Sequence, residues 1–374
     1  MSPFPKNREL WGLLLVGVLA LAGWSALLLA PWGCASPGVE RSGPRTAAKV
    51  SRVPQGFEQS EQGTGEDGWA KQIIHKVSGI EFVLIPSGEF VMGSPPSEPV
   101  RLSFEDQHRV KIPRPFYLGK YEVTRGQFAA FIRETGYKCD YSKGRYEPLS
   151  DEFPSTPDSS WKEGEGWVTN PGHQWKGGSD VFLPGHHGVV IFDEDASWEN
   201  PGFEQTDDHP VVCVNRDDAL AFCRRVGGRL PTEAEWEYAC RAGTTTAFPW
   251  GEDPAGGEGW CNIQDQMAMK IFPEWKDAAT WSDGYVYTAP VGSFKPNAWG
   301  LYDMVGNVTE WCSDEVGSVA GAKSDPQGTV KKYFVIRGGA WCNPPDACRS
   351  AFSWSMDGVE RINTNGFRVA VDAR

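Results

Sequence analysis

From about residue 244 to the end of the chain, apolar residues recur with neither the 3.6-residue period of a helix nor the two-residue period of a half-buried strand. The segment is instead a succession of Gly, Asn, Trp and Asp turns. Its many backbone groups need partners outside a regular ladder, and cations held by carbonyls and carboxylates are one source of them. The composition agrees: 43 Gly, 28 Pro and 17 Trp among 374 residues favour a loop-rich domain held by aromatic packing. The formal net charge of −13, with no Lys/Arg stripe, excludes a nucleic-acid footprint.

The N-terminus reads separately. No charge interrupts "LWGLLLVGVLALAGWSALLLAPW", residues 10–32, which is long enough to cross a bilayer. Residues 1–35 are therefore expected to be a membrane anchor, with a cleaved signal as the alternative. Lys6 and Arg8 precede the run and Arg41, Arg45 and Lys49 follow it, so charge does not set its orientation. The position of the run predicts a domain outside the cytoplasm. Cys34 is a poor lipidation site, since "LAPWGC" lacks the small residues such a site prefers. Residues 36–78 are polar and rich in Gly, Ser and Gln, and are expected to be a flexible linker. The ordered domain is expected over 79–374.

Within it, "GIEFVLIPSGEFVMGS" predicts a hairpin about "PSGE", and "FYLGKYEV" (116–123) a strand. Residues 140–200 are expected to make a long surface excursion. Three helices are announced by their caps. Thr124 with Gln127 opens one that Gly136 ends, with Phe128, Phe131 and Ile132 on one face. Asn215, followed by Asp217 and Asp218, opens a second with Leu220, Cys223 and Val226 inward. Thr232 with Glu235 opens a third, with Trp236, Ala239 and Cys240 as its buried stripe and Gly243 as its stop.

Four stretches combine in order: "FYLGKYEVTRGQFAAFI", "HPVVCVNRDDALAFCRRVGGRLPTEAEWEYACRAGTTTAFPWG", "APVGSFKPNAWGLYDMVGNVTEWCSD" and "IRGGAW…CRSAF…NGFRVA". Together they resemble the formylglycine-generating enzyme family, the sulfatase-modifying factor domain, over roughly residues 79–373. The resemblance implies an α+β, C-type-lectin-like fold poor in regular secondary structure, with bound calcium. It further implies oxidation of a sulfatase cysteine with copper and dioxygen in the active members.

In "GLYDMVGNVTEW", Asp303 and Glu310 offer carboxylate oxygens, and Gly306 and Val308 could add carbonyls. The family's second calcium set falls on Asn262 and Ile263 in "CNIQD", with Asp283 and Tyr285 in "SDGYVY". The bland reading of these carboxylates is ordinary turn and surface groups. The catalytic cysteines correspond to Cys342 and Cys348, whose thiolates would suit Cu(I). Here "GGAWCNPPDAC" departs from the active pattern. Ala340 replaces a serine, Cys342 follows Trp341 without a spacer, and five residues including Pro344 and Pro345 separate the cysteines instead of four. Consecutive prolines stiffen the connection and are expected to keep the sulfurs from converging.

No C-x-x-C occurs among the nine cysteines. The resemblance matches Cys223 and Cys240 to disulfide positions whose partners fall on Val369 and Ser350. A close pair of Cys240 with Cys348, bonded or as thiols, is expected instead. None of the six histidines has metal-ligand spacing. Arg337, Arg349 and Arg368 are expected to anchor core carbonyls and carboxylates. Two functions remain: a divergent binding or accessory domain with structural calcium that holds a protein, peptide or glycan, and a copper oxidase of a protein cysteine, sulfatase-type.

Overall fold

The computed structural model describes residues 51–61, 63–141, 159–162, 166–169, 178–186, 188–316 and 332–374. The apolar run 10–32, Cys34 and the first part of the expected linker lie outside them. Order begins earlier than residue 79. Strands β1 (Phe57–Gln59) and β2 (Gln72–His75) pair with each other, and Phe57, Trp69 and Ile73 are buried. The second half of the expected linker is thus part of the domain, because these three apolar side chains sit among polar residues that conceal them in a composition count.

The expected hairpin about "PSGE" does not form. Its arms are strands, β3 (Glu81–Ile85) and β4 (Gly88–Met92), but they enter different sheets. β4 pairs with β5 (His108–Ile112), while β3 pairs with β2 and with β6 (Phe116–Gly119). Helix α1 (Arg125–Thr135) follows. The region expected as an excursion carries two small hairpins, β7 (Ser159–Lys162) with β8 (Gly166–Thr169) and β9 (Ser179–Phe182) with β10 (Val190–Asp193). Helices α2 (Arg216–Arg225), α3 (Glu233–Arg241) and the single turn α4 (Ala268–Ile271) come next. Strands β11 (Thr309–Val316), β12 (Tyr333–Arg337), β13 (Ser353–Asp357), β14 (Asn365–Gly366) and β15 (Ala370–Asp372) complete the chain.

The main sheet has the order β1-β2-β3-β6-β15, and a second sheet the order β13-β12-β11-β14. The main sheet is covered on both faces. Phe82, Tyr117 and Val371 pack into one apolar cluster with α1 and α2, and Val83, Ile85, Phe116, Leu118 and Ala370 into another with α3. The domain is α+β, with short helices and small, largely antiparallel sheets.

All three expected helices have reciprocal capping boxes. In each, the side chain of Thr124, Asn215 or Thr232 accepts from the backbone three residues on, and that residue's side chain accepts in return. The third helix ends on left-handed Ala242 rather than at Gly243. Thr232→Ala is expected to lower stability by about 1 kcal/mol in denaturant unfolding, since the Glu235 N–H would lose its partner.

Candidate functional site

The cysteine loop hangs from the end of β12. Gly338 and Gly339 turn the chain with φ of 100° and 72°. Gly339 has a second reason to be glycine: a Cβ there would lie 2.3 Å from Cys348 Sγ and 2.8 Å from the Ala347 carbonyl. Asn343 closes the next turn, its side-chain oxygen accepting from the Ala340 N–H at 2.8 Å and its own N–H donating to the Ala340 carbonyl at 2.9 Å. Pro345–Cys348 then forms one turn of 3₁₀ helix.

This path brings Cys342 and Cys348 into one neighbourhood rather than splaying them apart. Burial raises the Cys348 thiol well above its ordinary range, and proximity to Cys342 raises it further. Burial alone lifts Cys342 to about 12. These surroundings favour the neutral thiol at both positions. Cys348 is 1% exposed beneath Gly339, and Cys342 8% exposed.

Cys342 sits in an aromatic wall. Trp341 and Phe272 are buried beside it, and Phe182, Phe203, Trp275 and Tyr287 pack around them half-exposed. Phe203 stacks on Tyr287 at 4.5 Å, Phe272 stacks on Trp275 at 4.1 Å, and Trp341 meets Tyr287 edge-on at 5.1 Å. Trp341 is thus a core residue whose neighbours reach the surface. Trp299 instead packs edge-on against Tyr238, away from this wall.

No disulfide joins Cys240 to Cys348; all the described cysteines are free. The two share an apolar cluster, but the Cys240 sulfur contacts Ser350 Oγ at 3.7 Å and the Met304 carbonyl at 3.6 Å. Ser350 is the position that the family resemblance assigned as its partner, and a hydroxyl there satisfies the thiol without a bond. The thiols that act electrostatically with Cys348 are Cys342 and Cys261.

The three arginines anchor as expected. Arg337 donates to the Ser350 and Ala351 carbonyls and to Glu237. Arg349, directly after Cys348, is clamped by Glu98 and Glu105 and donates to the Val100 carbonyl at 3.2 Å. Arg368 grips Glu310 through two nitrogens, each at 2.7 Å, and donates to the Gly119 and Tyr302 carbonyls, both at 3.0 Å. His209 meets Thr288 Oγ1 at 3.0 Å, and burial lowers its pKa, as suits a structural group.

The expected calcium residues divide. Glu310 faces Arg368 with both oxygens and also accepts from Trp236 Nε1 at 2.8 Å. Asp283 accepts from the Ile263 and Tyr285 N–H groups at 3.0 and 2.8 Å, and burial pushes its carboxyl up to about 7. Asp303 and Asn262 are different: Asp303 Oδ1 and Asn262 Oδ1 are buried without a hydrogen-bond partner. Orphaned buried oxygens are what a hard cation would satisfy. Gly306 lies against the Asn262 carbonyl so closely that a Cβ would stand 2.1 Å from it, and the two residues form a parallel bridge. The two expected sets are therefore neighbours. Val308 is fully buried beside Val212 and Cys213.

Two residues of this region escaped the sequence reading. Glu122 is fully buried with Oε1 unpartnered, and Asn307 links it to Asn262 by donating to Glu122 Oε2 at 3.3 Å while accepting from Asn262 Nδ2 at 3.2 Å. A carboxylate between Tyr121 and Val123 in a strand-like run was the available signal. Among the described residues, no three His, Cys, Asp or Glu side chains converge as a metal-binding group.

This fold and loop define a sulfatase-modifying factor architecture, and residues 72–373 match the family model described as the sulfatase-modifying factor enzyme 1-like domain. The chain belongs to that family, whose fold is C-type-lectin-like. It is 38% identical to the formylglycine-generating enzyme of Thermomonospora curvata over 240 residues, covering 62% of this chain and 70% of the relative. It is 34% identical to that of Streptomyces coelicolor, covering 78% and 89%. It is also 28% identical to the inactive Cα-formylglycine-generating enzyme 2 of Bos taurus, covering 71% and 78%. Among solved structures, PvdO from Pseudomonas aeruginosa superposes with a TM-score of 0.53 at 28% identity, covering 79% of this chain and 95% of the other.

Proposed function

We propose that this protein is a divergent, extracytoplasmic member of the family, tethered by its N-terminal apolar run, that holds a protein or peptide against the aromatic wall around Cys342. Calcium serves as a structural ion, and the domain does not oxidise its ligand. The observation that carries this reading is the state of Cys348. It lies 1% exposed under Gly339, in an apolar cluster that favours the neutral thiol. A copper ligand must be a thiolate reachable by the metal. The half-exposed rings of Phe182, Phe203, Trp275 and Tyr287 remain as a surface suited to an apolar or aromatic side chain.

A second reading has support of its own. Cys342 and Cys348 share one neighbourhood, and the relatives at 38% and 34% identity are named as formylglycine-generating enzymes. In that reading the two thiols would hold copper, which supplies the oxidising chemistry for a protein cysteine, as in a sulfatase. The residues as placed do not present both sulfurs to solvent.

Aerobic incubation of the Cu(I)-loaded protein with a Cys-x-Pro-x-Arg peptide separates the two readings. Mass spectrometry is expected to return the peptide with its sulfur intact, while tryptophan fluorescence reports its binding. Conversion of the peptide cysteine to an aldehyde would overturn the binding-only reading.

A further inference from the structure

The loop from β4 to β5, residues 93–107, is tight at its root and apolar at its tip. At the root, the Ser94 N–H donates to the Glu105 carbonyl at 2.9 Å, and a Cβ on Gly93 would stand 2.6 Å from that carbonyl oxygen. Inside the loop, Arg349 holds Glu98 and Glu105 and donates to the Val100 carbonyl at 3.2 Å. Val100 itself has a φ of 57°, a left-handed conformation that β-branched residues rarely adopt. With these polar groups drawn inward, Val100 and Phe104 turn outward, 60% and 62% exposed, and Leu102 between them in sequence is half-buried. Arg101, the loop's own cation, pairs with Asp106.

Strand β5 adds charge beside this tip. Arg109 and Lys111 lie two residues apart and so share a face of the β4–β5 hairpin, with exposed Val91 directly across from Arg109. Phe90 and Val110, on the other face, pack on the apolar cluster that contains Tyr238. Arg109, Lys111 and Arg114 are exposed, and none forms an ion pair among the described residues. Glu89 stands across from Lys111 without pairing with it. These free cations sit in a chain of net charge −13. We propose that the β4–β5 loop and strand β5 dock on an anionic lipid bilayer, with Val100 and Phe104 entering the interface while Arg109, Lys111 and Arg114 meet headgroup phosphates. Apolar side chains flanked by free cations are what such an interface binds. The negative charge elsewhere on the chain does not prevent this, because physiological salt screens exposed charges beyond about 8 Å. The proposal rests on the anchoring of residues 10–32 for its proximity to lipid. Residues 33–50 separate that run from the first described residue, and fully extended they reach no more than about 60–65 Å. An anchored domain therefore never leaves the neighbourhood of the bilayer, where contacts too weak to recruit a free protein become effective.

The test is hydrogen exchange of the full chain, in detergent and in nanodiscs of phosphatidylcholine alone or mixed equally with phosphatidylglycerol. In the mixed discs, exchange over residues 100–107 is expected to be at least about fivefold slower than in detergent, the effect of one or more basic contacts with anionic lipid. Discs of phosphatidylcholine alone should give little of this protection. Arg109→Gln/Lys111→Gln and Phe104→Ser should each return exchange in the mixed discs to the detergent rate. All three side chains are exposed, so unchanged exchange in α2 and α3 serves as the folding control. Equal exchange in detergent and in both discs would overturn the docking surface. Equal slowing in the two kinds of disc would overturn the part given to the cations. Slowing in detergent that grows with protein concentration would assign the loop to a second copy and overturn the lipid assignment. Failure of the chain to enter discs would overturn the anchor alone. Sedimentation with preformed mixed vesicles then decides the docking surface, and recovery no greater than with phosphatidylcholine vesicles would refute it.

Discussion

Arg368→Met is expected to destabilise the domain by about 3–5 kcal/mol, a large share of the roughly 5–15 kcal/mol that holds a typical domain together. The substitution keeps most of the side-chain volume but strands Glu310, which is 0% exposed, without its cation. It also removes the donors to the Gly119, Tyr302 and Asp303 carbonyls, so backbone groups of two distant segments lose partners together. Urea unfolding monitored by tryptophan fluorescence measures the loss. The double variant Arg368→Met/Glu310→Gln should recover part of it, since the uncompensated charge is gone. A loss below about 1 kcal/mol would mean that the pair contributes no more than an exposed surface bridge.

The second large effect concerns the clamp beside Cys348. Arg349→Met leaves Glu98 and Glu105 buried without their partner, again at about 3–5 kcal/mol. Its local consequence is more informative. Arg349 ties the residue after Cys348 to the loop between β4 and β5, so the variant should release the 3₁₀ turn and expose the thiol. Alkylation of native protein, mapped by mass spectrometry, should be slow at Cys348 in wild type and rapid in Arg349→Met. Equal rates would show that Gly339 and the surrounding apolar cluster alone keep the sulfur covered.

The clamp also has a pH signature. Burial by itself would raise the Glu105 carboxyl, but hydrogen bonds from Arg349 and Ser94 outweigh it and bring the group below its ordinary value. A carboxylate so depressed contributes its full stability above the unfolded value, about 4.3. That contribution fades as pH falls through the lowered value. The acid limb of the unfolding curve should therefore flatten in Arg349→Met.

What could be read from the sequence follows from how local each signal is. The helix starts were legible because Thr124, Asn215 and Thr232 find their partners three residues away. The strands of the second sheet were not. β12 is buried on both faces and so does not alternate, and β11 turns Glu310 inward, which breaks an apolar pattern. The arms of the expected hairpin were found but not their pairing, because Ser87 and Gly88 carry the chain from one sheet into another. In the site, the loop motif and its departures were visible in the residues themselves. The packing of Cys348 under Gly339, the contact of Cys240 with Ser350, and the place of Glu122 beside Asp303 depend on segments up to about 180 residues apart, which one sequence does not relate.

The pairing of β6 with β15 has a consequence for how the molecule comes into being. Residues 116–118 lie in register beside 370–372, and Arg349 reaches back to Glu98 across most of the domain. Contacts of such long sequence separation form only after large loops have closed, and chains dominated by them reach the native state slowly. In a newly made chain the β6 edge of the central sheet stays open until β15, the last strand, has been made and pairs with it.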